Sequence, residues 1–235
     1  MPEDLESAAQ YTLHSSEEAR DRFLCKGDKA LGAISYQAGS LTAYKFVIGV
    51  LKLCLEKDLN LQTNTPATAL QRGGSGSWKV ETPRGIIEAK RVVLATNGYT
   101  GYLFEKLNSV IVPLRGQITA QRPGINMPKE GLQTTYSFIY ANGYEYMISR
   151  PLSSKYAGDI IMGGGLVKAP QEGLYEYGTT NDTTLNTVTH DYLVETTPRY
   201  FGDSWGDDHP GGRIRRAWTG IMGRHIFMMS LAISH

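Results

Sequence analysis

Val92, Val93, Leu94 and Ala95 form a short apolar run that ends on Thr96, Asn97 and Gly98, with Tyr99 just behind. Four apolar residues in a row suit a strand covered on both faces. Ending such a strand on small residues lets backbone N–H groups come close to a ligand. Open α/β sheets bind ligands at the carboxyl ends of their strands in this manner. Taken alone, Gly98 also reads as a plain tight turn.

Other chemistries find less support. His14, His190, His209, His225 and His235 are scattered and stand at no ligand spacing with a cysteine or carboxylate, so no metal site is expected. No G-x-S-x-G elbow occurs, and "GGSGSW" is a turn with no strand feeding it. Neither a G-x-x-x-x-G-K-[ST] phosphate loop nor a G-x-G-x-x-G between strand and helix is present. The glycines at 163–165 suit a close backbone approach inside a sheet better than a nucleotide loop.

The elements that would position such a turn follow from periodicity. Residues 1–30 read as a short amphipathic helix, and 32–40 as a loop or extended piece. Tyr44, Val47, Ile48, Leu51, Cys54 and Leu55 recur at the 3.6-residue period, which predicts a helix over 44–57. Residues 59–64 alternate like a strand that ends at Pro66. "GGSGS" at 73–77 is a turn, and a hairpin over 77–89 turns at Pro83, Arg84 and Gly85. Residues 91–95 form the strand described first. Residues 109–123 run extended, and 136–151 form a hairpin around the Asn142-Gly143 dipeptide. Residues 159–167 are another strand. Asp182 is expected to cap a helix carrying Leu185, Val188, Tyr192 and Leu193 that ends near Pro198. Residues 213–223 are a last extended stretch. The antiparallel set over 110–167 should carry the 182–198 helix on one face.

Composition bounds the rest. With 235 residues, 41% of them hydrophobic, the chain can bury one large core or two small ones. A net charge of +1 without a basic run argues against a nucleic-acid partner. No apolar run reaches the length of a membrane helix, and "MPEDLESAAQ" is too acidic for a signal peptide. Cys25 and Cys54 are the only cysteines, and Cys54 reads as a buried free thiol. That composition implies a reducing, cytoplasmic setting, with the peroxisome left open although no peroxisomal signal ends the chain.

In combination these stretches resemble the FAD-dependent oxidoreductases of the D-amino-acid oxidase, glycine oxidase and sarcosine oxidase type. "LNLQTNTPATAL" resembles that family's strand and turn over the adenosine half of FAD, and "GIIEAKRVVLATNGYT" its meander and following strand. "VPLRGQ" resembles the segment entering the substrate domain, "NGYEYMISRP" and "IIMGGGLV" paired strands of the substrate sheet, and "WTGIMG" the start of the last flavin-contacting stretch. The resemblance implies an α/β (α+β) fold with an incomplete Rossmann-like FAD-binding domain over 1–120. It further implies a substrate domain on a mostly antiparallel sheet over 121–210, and a return to the FAD domain over 211–235.

It also implies roles. Pro66 and Ala67 would lie beside the adenine, Ala95, Thr96, Asn97 and Gly98 beside the dinucleotide, and Trp218, Thr219, Gly220 and Gly223 near the flavin ring. Tyr146 aligns with a tyrosine that binds substrate carboxylate, although a plain sheet tyrosine would look the same. Arg150 could hold a carboxylate bidentately or be a surface residue, and Lys168 lies near a lysine used for oxygen activation. The implied reaction oxidises a C–N bond of a small-molecule amine or amino-acid-like substrate to an imine, with oxygen as acceptor. Several amino-acid oxidases of this type carry an arginine two residues after the glycine of W-x-G; Met222 stands there, which favours an amine.

Two departures temper this. Nothing in residues 1–43 supplies the glycine loop that would hold the FAD pyrophosphate at a helix N-terminus. After "WTGIMG" the family's closing turn is replaced by "RHIFMMSLAISH", which reads as a buried helix or as the product of an altered frame. The chain is therefore expected to be a truncated, inactive form of such an enzyme. The competing reading is a non-catalytic remnant or partner-binding module without FAD.

Overall fold

The computed structural model describes residues 10–25 and 30–225. In chain order the elements are β1 (Tyr11–His14), α1 (Ser16–Arg22), β2 (Ala33–Tyr36), α2 (Ala43–Leu55), β3 (Ala69–Arg72), β4 (Trp78–Thr82), β5 (Gly85–Ala89), α3 (Thr100–Leu103), β6 (Ile111–Gln121), β7 (Tyr136–Tyr140), β8 (Gly143–Ser149), β9 (Ile160–Gly164), α4 (Thr187–Phe201) and β10 (Ile214–His225). The fold is mixed α/β with antiparallel pairing: β1-β2, β3-β4-β5, and a five-stranded sheet in the order β10-β6-β9-β8-β7. The chain divides into two compact units. Unit 1 holds the described part of Met1–Ser40, Gly116–Glu176 and Asp182–Gly220; unit 2 holds Leu41–Arg115, Tyr177–Asn181 and the described residues after Gly220.

Unit 1 owns the core. Met127, Met147, Ile160, Met162, Leu193, Phe201 and Trp205 pack between the sheet and α4. The β7–β8 register, with Tyr136 opposite Met147 and Phe138 opposite Glu145, puts alternate residues on the α4 side. Phe138 accordingly stacks on Tyr200 of α4 with centroids 3.8 Å apart. The antiparallel set expected over 110–167 forms, with α4 on one face.

Several local expectations change. The short helix expected within residues 1–30 forms as the seven-residue α1, which Ser15 and Glu18 start as a reciprocal capping box, and the unexpected β1 precedes it. In the 136–151 hairpin the turn residues are Ala141 and Asn142, because Tyr140 pairs with Gly143. Asp182 does not cap α4. Asn186 does, its Oδ1 accepting from the Thr189 N–H at 3.2 Å. Nor does α4 stop at Pro198. Proline leaves the carbonyl four residues back without its helical donor, and here Arg213 Nη1 donates to the Val194 carbonyl at 2.6 Å. With that carbonyl satisfied and Phe201 fully buried, the helix runs one turn further.

In unit 2, β4 and β5 form the expected hairpin, closed between Thr82 and Gly85. α2 forms as its period predicts, yet none of its residues is buried. Cys54 is half-buried, not buried, and both cysteines are free thiols. Residues 59–64 and 91–95 are not strands. A strand exists only through its ladder, and no described strand pairs with either stretch, so Val93 stays 88% exposed. Among the described residues Leu114 is the one buried hydrophobic side chain of this unit. No helix among the described residues is long and apolar enough to cross a membrane.

Candidate functional site

The turn at residues 96–98 is built by close packing within unit 2. Asn97 adopts φ +48°, a left-handed conformation that asparagine tolerates better than most residues. Its side-chain amide reads the backbone of β10: Nδ2 donates to the Ile221 carbonyl at 2.9 Å, and Oδ1 accepts from the Gly223 N–H at 2.6 Å. Thr100 Oγ1 donates to the Asn97 carbonyl at 2.7 Å and closes the turn from behind. A Cβ on Gly98 would meet Ile221 Cγ2 at 3.0 Å, the Met222 carbonyl at 3.1 Å and Pro113 Cα at 3.2 Å. Gly223 is as tight, with Asn97 Oδ1 2.9 Å from its built Cβ.

So the structure brings Thr96, Asn97, Gly98 and Gly223 together, and it fills the room left by Gly98 with the chain's own β6 and β10. Asn97→Ala should remove both amide bonds and place alanine in a strained backbone, costing about 2 kcal/mol. Denaturant unfolding checks this, and a loss below about 0.5 kcal/mol would mean the clamp is not what holds the turn.

The other expected cofactor residues are spread out. Pro66 and Ala95 are exposed and Ala67 is half-buried. Trp218, Thr219 and Gly220 lie on the part of β10 that belongs to unit 1. Thr219 is buried with its hydroxyl donating to the Asp182 carbonyl at 2.7 Å, whereas Trp218 is exposed.

The substrate candidates fall on different faces of the unit 1 sheet. Tyr146 sits between Glu145 and Met147, both buried on the α4 side, and therefore points to the opposite, open face. It lies across Gly163: a Cβ there would stand 2.5 Å from Tyr146 Cζ and 2.6 Å from its hydroxyl. The glycine run is thus a close approach within the sheet. Tyr144 neighbours Tyr146 on that face, with ring centroids 6.2 Å apart. Burial, and then the nearby Tyr144, pushes the Tyr146 phenol above its ordinary pKa. Register adds Ile139, Ser137, Ile118 and Ala120 to the open face.

Lys168 is on the other side. Its ammonium lies 5.3 Å from the Tyr140 ring and 5.1 Å from that of Tyr192, a residue of α4. The structure does not bring Lys168 and Tyr146 together. Arg150 follows β8 on the Tyr146 side. Sequence reasoning missed the polar centre on the α4 side, where the buried Glu145 carboxylate accepts from Tyr140 at 2.6 Å and Tyr200 at 2.9 Å. Its one signal was the alternation that puts a glutamate at a core position of β8. Among the described residues no group of His, Cys, Asp and Glu could hold a metal.

Known proteins share this fold. Solved structures that superpose on the chain include glycine oxidase from Geobacillus kaustophilus, with 16% identity, a TM-score of 0.67, and 92% of this chain and 52% of that one covered. NikD, described as an unusual amino acid oxidase essential for nikkomycin biosynthesis, gives 17%, 0.67, 93% and 54%. L-proline dehydrogenase from P. horikoshii gives 17%, 0.67, 91% and 53%. At such identities the likeness is one of fold, and the chain spans about half the length of these proteins. A protein named probable oxidoreductase OrdL from Rhizobium meliloti (strain 1021) is 33% identical over 82 residues, 35% of this chain and 19% of that protein. The family model described as DAO, FAD dependent oxidoreductase, matches residues 3–231. With that match over nearly its whole length, the chain belongs to the DAO family of FAD dependent oxidoreductases.

Proposed function

We propose that this chain carries the substrate-recognising sheet of an FAD-dependent oxidoreductase that oxidises the C–N bond of an amine to an imine, with oxygen as acceptor. The observation that carries the reading is the open face of the unit 1 sheet. Its centre is lined by Tyr144, Tyr146, Ile139 and Ile118, and Gly163 lets the Tyr146 ring lie flat across β9. An exposed apolar and aromatic surface of this kind marks a binding face. No charged side chain stands among these central residues to pair with an α-carboxylate, and Met222 at the arginine position favours an amine in the same way.

The chain's own residues do not fit FAD as a whole. Space at Gly98 is filled by Ile221, Met222 and Pro113, and α2 starts at Ala43 behind Thr42, with no glycine turn before it and no side-chain cap. No step of the oxidation itself is therefore assigned to these residues. What they do is bind and orient: Tyr146 offers a hydroxyl over the sheet, and the apolar rows beside it exclude water from an alkyl substituent.

Equilibrium binding followed by tyrosine fluorescence tests this reading. A primary or N-methyl alkylamine should bind more tightly than glycine, and Tyr146→Ala should weaken the amine by about tenfold, or about 1.4 kcal/mol. Tighter binding of glycine, or a Tyr146→Ala protein that binds as before, would sink it. A second reading, a partner-binding module without FAD, draws on unit 2, where α2 buries no residue and Tyr44, Phe46, Val47 and Leu53 are all exposed.

A further inference from the structure

Beyond Ser149 the β8–β9 ladder continues, with the Arg150 N–H donating to the Asp159 carbonyl at 2.8 Å and the Gly158 N–H to the Arg150 carbonyl at 3.0 Å. Ser149 is on the core side, where its Oγ accepts from the Leu132 N–H at 3.1 Å. Arg150 therefore belongs to the row of Tyr144 and Tyr146 on the open face. Its natural acceptor is already engaged. Asp159, 3% exposed, is gripped by Arg215 through Nε to Oδ2 and through Nη2 to Oδ1 at 3.2 Å, while Tyr156 backs the same guanidinium at 4.1 Å. Arg150 stands opposite Asp159 in the ladder, and Arg215 holds that carboxylate. The Arg150 Nε is buried and meets no acceptor among the described residues. A buried arginine N–H without a partner calls for an acceptor from outside the chain.

The geometry points to Arg150 as a carboxylate subsite on the open face. Arg150 stands four residues beyond Tyr146 along one strand face, about 13 Å away. The ligand of this face is then a long amine whose carboxylate is remote from the end held near Tyr146, and not a short α-amino acid. This inference rests on the reading of that face as the substrate face.

The test uses two probes that differ only in the distant charge, ω-aminodecanoate and its carboxamide, titrated into the whole chain by calorimetry. The carboxylate should bind about tenfold more tightly than the amide, the margin of a charge-assisted pair. Arg150→Gln should erase that margin. Arg150→Lys, which keeps the charge and loses the planar fork, should retain part of it. Matched thermal melts establish that the variants fold. Equal binding of the two probes, no binding of either, or a margin that survives in Arg150→Gln overturns the subsite. Inorganic phosphate is the third arm: if it displaces ω-aminodecanoate and binds more tightly, the site takes a phosphate and the substrate claim is overturned. Should the amine reading itself fail, glycine will outcompete the carboxamide, a result that leaves the carboxylate-to-amide margin intact and so separates the two failures.

Discussion

Dialysed against FAD, chain 1–235 should retain no flavin at micromolar concentration. The largest share of dinucleotide affinity in this kind of fold comes from a pyrophosphate held at a helix N-terminus, where backbone donors and the helix dipole act together. No G-x-G-x-x-G opens a helix anywhere in the 235 residues. The turn at residues 96–98, the best substitute, spends its asparagine on Ile221 and Gly223 and its glycine on chain packing. Stacking and apolar contacts at Pro66 and Ala67 would leave a dissociation constant in the millimolar range, about −4 kcal/mol. Equilibrium dialysis with absorbance of the retained flavin decides it. Micromolar or tighter binding would show that the chain holds a phosphate site of another design, and it would overturn the reading that its residues do not fit FAD as a whole.

Replacing Glu145 by alanine should cost about 3–5 kcal/mol of folding free energy, a large part of the stability of an ordinary domain. The carboxylate is fully buried and joins three elements, accepting from Tyr140 on β7 and from Tyr200 on α4. Alanine leaves two hydroxyls without an acceptor and opens a void beside Phe138, its partner in the β7–β8 register. Glu145→Gln keeps the shape and one acceptor oxygen, and should cost less than half as much. A second readout follows from the phenols. Burial raises the pKa of both Tyr140 and Tyr200, and the Glu145 carboxylate adds to that in each case. In Glu145→Gln, alkaline titration of tyrosinate absorbance should reach completion at lower pH than in the parent chain. Guanidinium unfolding of the alanine variant with a loss under 1 kcal/mol, or an unmoved titration, would show that the cluster is ornamental to the fold.

The elements legible in the sequence are those whose structure is local. α2 follows from its own 3.6-residue period, and the β4–β5 and β7–β8 hairpins follow from alternation around short turns. The family resemblance was legible for a related reason, since it rests on the order of such pieces. Site residues were legible as types and only partly as places. Tyr146 was found, but which face it occupies depends on Glu145 being drawn into the α4 side by Tyr140 and Tyr200.

Tertiary structure decided whatever needed a distant partner. Residues 91–95 have the composition of a buried strand, yet backbone donors and acceptors make a strand only when another strand meets them, and none of the described strands does. Pro198 reads as a helix end until Arg213, fifteen positions on, satisfies the carbonyl that proline frees. Gly98 reads as room for a ligand until β6 and β10 occupy that room. Periodicity records which face of an element is apolar; what comes to lie against that face depends on contacts far apart in sequence, which only the folded chain brings together.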